Sequence, residues 1–105
     1  MKPPMLKTRK TSLDREGAEA MALSGLAFLA EEPERLGRFL ALTGMGPDEL
    51  RQEAGSAHVL AAVLEYLLED ESLLLVFAGM KGLDPATIAP AHALLMGGSA
   101  TRDWP

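Results

Sequence analysis

The chain has 105 residues, no cysteine and a formal net charge of -5. It therefore makes one domain with a modest core, and has no disulfide framework, no thiolate metal site and no thiol chemistry. Lys2, Lys7, Arg9 and Lys10 fall in the first ten residues with no acid among them, and the other 95 residues carry six basic groups against 15 acidic ones, a balance that repels phosphate backbones and argues against nucleic acid as the main partner.

Residues 1–11 form a basic arm, 12–98 a single helical domain and 99–105 a tail with the only tryptophan, Trp104. Helix one is expected to start at Thr11 or Ser12, where a hydroxyl can cap exposed N–H groups; Thr11 with Asp14 resembles a capping box. Ala18, Met21, Ala22, Gly25, Leu26 and Leu29 follow helical spacing and make one apolar stripe. Residues 21–30 are apolar enough for a signal-peptide core. But Asp14, Glu16 and Glu19 separate that run from the basic arm, which is wrong for a secretory signal. No apolar run approaches the ~20 residues needed to span a bilayer.

Glu31-Glu32-Pro33 closes helix one and opens helix two, since proline suits a first turn. Leu36, Phe39, Leu40 and Thr43 are expected inward, and Glu31–Arg35 and Glu34–Arg38 are i, i+4 pairs on the wet face. Gly44 stops helix two, Pro47 starts a short helix three, and Gly55 ends it. Ser56 caps helix four, whose apolar face is Val59, Leu60, Val63, Leu64, Leu67 and Leu68. Helix five, Ser72 to Lys81, is apolar nearly all round, which places it at the centre of the core or in an interface. Gly82 stops it, Asp84 caps helix six, and Pro90 inside helix six requires a kink or a fresh start there.

Composition and periodicity thus specify an all-α fold, a compact bundle of about six short helices. A shift of 38 positions lays residues 21–50 on 59–88 with 7 identities in 30, among them Leu26/Leu64, Leu29/Leu67, Phe39/Phe77, Gly44/Gly82 and Pro47/Pro85. The chain therefore reads as two diverged three-helix units, with helices one, two, four and five expected to pack together.

The segments Leu26-Ala27-Phe28-Leu29-Ala30, Leu36-Gly37-Arg38-Phe39-Leu40, Thr43-Gly44-Met45, Asp48-Glu49-Leu50-Arg51, Asp70-Glu71, Phe77 and Gly82-Leu83-Asp84-Pro85 resemble the domain-of-unknown-function 3572 family over about residues 18–96. The resemblance implies an all-helical fold and a small bacterial, chiefly alphaproteobacterial, cytoplasmic protein. It carries no activity and no catalytic residue.

Site chemistry is sparse. His58 and His92 are isolated, one or two residues into their expected helices and outside any metal-binding spacing; they read as surface or half-buried structural residues. The acidic corners Glu31-Glu32 and Glu69-Asp70-Glu71 lack the ligand spacing of a cation loop and read as solvated helix junctions. Phe39 to Glu53 loosely follows a helix-turn-helix, but its second helix is too acidic for a major groove. No phosphate loop or nucleophile elbow is present. The sequence thus points to no catalytic residue, no metal and no cofactor.

The expected function is a non-enzymatic, cytoplasmic protein–protein interaction or scaffolding module, without a membrane partner, that binds another protein or itself as a homodimer. Its candidate surface is Arg35, Arg38 and Arg51 of the first unit, with Leu73, Val76 and Met80 of helix five. Leu73 and Val76 occupy in the second unit the places of Arg35 and Arg38 in the first, so one copy is charged where the other is apolar. The alternative is a nucleic-acid-associated regulator that uses the basic arm with the same three arginines.

Overall fold

The computed structural model describes residues 13–97. They form an all-α bundle of six helices: α1 (Arg15–Ala30), α2 (Pro33–Thr43), α3 (Pro47–Glu53), α4 (Ala57–Leu68), α5 (Glu71–Lys81) and α6 (Ile88–Leu95), the last preceded by a 3-10 turn at Pro85–Thr87. Among the described residues no single helix is long and apolar enough to cross a membrane.

Most helix ends follow local chemistry. Asp14 caps α1, its Oδ1 accepting from Gly17 N at 2.8 Å. The cap therefore lies past Thr11 and Ser12, which are outside the described residues. Ser56 Oγ accepts from Val59 N at 3.2 Å to open α4, and Asp70 Oδ1 accepts from Leu73 N at 3.1 Å to open α5. Gly44 and Gly82 close α2 and α5 at φ 75° and 67°, the left-handed conformation a side chain resists. Asp84 caps the 3-10 turn and not α6 itself. With α6 beginning at Ile88, Pro90 falls in its first turn, where a missing N–H breaks no helical bond, and no kink is required.

The centre of the bundle is a three-way contact of α1, α4 and α6, with α2 packed on α1 and α5 on α4. That corrects the expected grouping of helices one, two, four and five: α6 supplies the third wall through Ile88, Ala91 and Leu95, while α2 and α5 flank it. Helix α1 buries Ala18, Met21, Ala22, Gly25, Phe28 and Leu29. Helix α4, buried on most sides, contributes Val59, Leu60, Ala61, Val63, Leu64, Tyr66 and Leu67. From α2 only Phe39 is fully buried; Thr43, expected inward, is exposed. The Thr43 hydroxyl donates to Phe39 O at 2.9 Å and accepts from Met45 N at 3.3 Å, which holds the turn into α3.

Helix boundaries recur at the 38-residue interval. Helices α1 and α4 end at Ala30 and Leu68, and α2 and α5 are each 11 residues long, starting at Pro33 and Glu71 and capped by Gly44 and Gly82. The aromatic contacts obey the same exchange. Phe28 meets Phe77 with ring centroids 5.3 Å apart, and Phe39 meets Tyr66 at 5.4 Å. Swapping each residue for its counterpart 38 places away turns the first pair into the second. Gly25 and Val63, which exchange with each other, are themselves in contact: a Cβ on Gly25 would stand 3.0 Å from a Val63 methyl. The third helices break the pattern. Helix α3 has no fully buried residue and only packs Leu50 against the core, whereas α6 enters it.

Two glycines of this bundle respond oppositely to the same change. Gly37 lies inside α2 with no neighbour within 4 Å of its Cβ position, and Gly82 has equally open space but a φ of 67°. Gly37→Ala is expected to stabilise the fold by about 0.5–1 kcal/mol, and Gly82→Ala to destabilise it by about 1 kcal/mol. Urea unfolding followed by circular dichroism measures both. Phe77→Ala, which empties a fully buried site, should cost about 3–5 kcal/mol in the same assay.

Candidate functional site

The six sequence-derived surface residues separate into three situations. Arg35, half-buried on α2, is committed to the fold. Its guanidinium lies 4.2 Å from the Phe28 ring centroid and donates to Phe28 O at 3.2 Å. It thus closes the end of α1, where unpaired carbonyls favour a cation. Arg51 is spent on its own helix, its Nη2 donating to Asp48 Oδ1 at 2.7 Å. Arg38 is exposed and makes no ion pair within 4 Å among the described residues. The expected pairs Glu31–Arg35 and Glu34–Arg38 do not form; the ion pairs among the described residues are Arg15–Glu19 and Asp48–Arg51.

Helix α5 has two apolar faces. Leu74, Phe77 and Ala78 enter the core, so the helix is neither central nor fully enclosed. On the opposite side Leu75, Val76 and Met80 are 49%, 48% and 59% exposed, and Leu73 is half-buried at the edge of that face. Gly79 lies between them with open space at its Cβ position. The outward face of a surface helix ordinarily carries charge; here polar residues stand only at the helix ends, Glu71, Ser72 and Lys81. Being apolar does not bring Val76 into the core. It points outward, as Arg38 does.

Beside this face three adjoining shallow clefts, of about 370, 220 and 170 Å³, share Tyr66 in their walls. Helix α2 supplies one bank through Arg35, Arg38 and Leu42. The corner between α4 and α5 supplies the other through Glu69, Asp70 and Glu71. Leu73 lines the cleft nearest Arg35, so cleft and apolar face are continuous. Tyr66 is only 8% exposed. Its ring is fixed edge-on against Phe39, and its hydroxyl has no hydrogen-bond partner among the described residues. Neither Tyr66 nor this cleft has a local signal in the sequence, because the cleft joins residues some thirty positions apart.

The histidines do not assemble a reactive group. His58 is exposed. His92 lies in the last turn of α6, not near its start as expected, because the helix begins at Ile88, ahead of Pro90, and is only eight residues long. The Nε2 of His92 is buried 3.7 Å from Glu65 Oε1 without a hydrogen bond. Among the described residues no three His, Asp or Glu side chains converge as metal ligands.

The family model described as "Protein of unknown function (DUF3572)" matches residues 15–98. The chain belongs to the domain-of-unknown-function 3572 family. The match covers all six helices. Neither the comparison with curated proteins nor that with solved structures gives a match.

Arg35 separates structural from free cationic positions. Arg35→Ala removes a cation–π contact and a hydrogen bond and should lower stability by about 1 kcal/mol. Arg38→Ala should change it by less than about 0.5 kcal/mol. Thermal unfolding of the two variants side by side measures the difference.

Proposed function

We propose that this protein is a non-enzymatic interaction module of the bacterial cytoplasm that binds another protein chain through the outer face of α5. The observation that carries this reading is the exposed run of Leu75, Val76 and Met80 on a helix whose other side is fully engaged in the core. Apolar side chains gathered on one exposed face gain free energy when a partner removes them from water, and methionine adapts its shape to the partner surface. The cleft around Tyr66 extends that face with polar groups, giving the apolar-centre and polar-rim composition of a protein interface.

The duplication belongs to the same proposal. Two copies of a helical pair, related by 38 residues and crossing at Gly25 and Val63, account for the recurring helix ends and the exchanged aromatic contacts. The first copy keeps Arg35 and Arg38 where the second has Leu73 and Val76. One copy thus carries the charged bank and the other the apolar face. The nucleic-acid alternative loses support from the same geometry: Arg35 is engaged within the fold, Arg51 pairs with Asp48 at the surface, and Arg38 faces an acidic corner.

Val76→Glu with Met80→Glu tests the reading. Both side chains are about half exposed, so the double variant should melt within a few degrees of the wild type. Affinity capture from the native cell, with mass spectrometry, should show partners held by the wild-type protein and lost from the variant. Equal capture by both proteins would place the interface elsewhere.

A further inference from the structure

The clefts around Tyr66 have a charge balance that selects their occupant. Their described walls contain six carboxylates, Glu32, Glu34, Glu65, Glu69, Asp70 and Glu71, against the guanidiniums of Arg35 and Arg38. Arg35 is already engaged with Phe28, and Asp70 uses one oxygen as the cap of α5. What remains is a groove of negative potential, with a nine-tenths buried tyrosine whose hydroxyl has no hydrogen-bond partner among the described residues. At its edges are Leu42, 69% exposed, and Leu73, which leads onto the apolar face of α5. Such a groove fits a segment that carries several cations together with apolar side chains and no acid.

This chain contains such a segment. Residues 2–10 carry Lys2, Lys7, Arg9 and Lys10 around Met5 and Leu6, with no acid. We propose that the acidic cleft binds the basic N-terminal arm of a second copy of this chain, with the arm's cations against Glu69 and Glu71 and its apolar residues along Leu73 and Val76. Reach favours the second copy over the same one. Glu32, on the rim of the cleft, follows the far end of α1, and the 16 residues of α1 span about 24 Å. Lys10 is three residues and Arg9 four from Leu13 at the near end, a reach of at most about 10 and 14 Å. Both fall short within one chain. Reciprocal exchange between two copies brings all the arm's charges to a cleft and closes a two-fold pair. The inference rests on the reading of α5 as an interaction face and names its partner.

Sedimentation equilibrium of the full chain tests it with charge swaps. The arm variant is Lys7→Glu, Arg9→Glu, Lys10→Glu. The cleft variant is Glu69→Lys, Glu71→Lys, both at exposed positions. The wild type should approach dimer mass at low salt at concentrations on the order of 100 µM and lose it in strong salt. Each variant alone should weaken dimerisation about ten-fold or more, and the two combined in one chain should restore it. Tyr66→Phe should weaken it about five-fold. A wild type that stays monomeric throughout overturns the proposal. So does a dimer indifferent to salt and to both swaps, or a combined variant that fails to recover while circular dichroism shows it folded. Loss of the dimer with capture by the α5 face intact removes this inference alone. Equal capture by the wild type and by Val76→Glu, Met80→Glu removes the reading beneath it.

Discussion

The close crossing of α1 over α4 at Gly25 and Val63 sets the positions of the other helices. Gly25 has no side chain to hold the helices apart. The space where its Cβ would stand is bounded by a Val63 methyl at 3.0 Å, a Leu67 methyl at 3.2 Å and the Phe77 ring at 3.8 Å. Such an approach lets two long helices share one core in a chain of this size, because packing density in the interior leaves no slack for a spacer. It also brings Phe28 of α1 to Phe77 beyond α4, and Tyr66 of α4 to Phe39 beyond α1. Each outer helix is thereby tied to the inner helix of the opposite half, and neither half buries its aromatics alone.

The outer surface follows from that arrangement. With α1 and α4 central, α6 fills the one remaining side with Ile88, Ala91 and Leu95. The flanking positions of α2 and α5 then need to be buried on one side only. Helix α2 meets this requirement with Phe39 inward and Arg38 outward, an ordinary amphipathic solution. Helix α5 does not, since its outward side is Leu75, Val76 and Met80. A fold under pressure for solubility alone would place polar groups there, and this departure from local rules is where function is sought.

The helices and their ends were legible in the sequence because their causes are local. Asp48 and Glu49 behind Pro47, Ser56 ahead of α4, and the glycines after Thr43 and Lys81 act within one turn of themselves. The start of α1 was misplaced because Thr11, Ser12 and Asp14 are all competent caps, and sequence does not rank them. The start of α6 was misplaced because Asp84-Pro85 supports a 3-10 turn as well as an α-helix. What sequence did not reveal was which helices meet. Thr43 looked inward by periodicity, yet its hydroxyl bonds to its own helix and the turn beyond it. Of the site, the exposure of Val76 and Met80 and the freedom of Arg38 were open questions in the sequence. The engagement of Arg35 with Phe28 and the cleft around Tyr66 depend on tertiary packing and left no local signal.

A double-mutant cycle at the crossing tests the account most directly. Gly25→Ala alone should destabilise the protein, since its methyl meets Val63 and Leu67 at less than ordinary contact distance. In a Val63→Ala background the methyl gains room and alanine's better helix propensity remains. The account predicts that Gly25→Ala becomes neutral or stabilising there, a coupling of about 1 kcal/mol or more by chemical denaturation. Effects that add within about 0.5 kcal/mol would show that α1 and α4 do not meet at this pair, and would contradict the arrangement of the whole bundle.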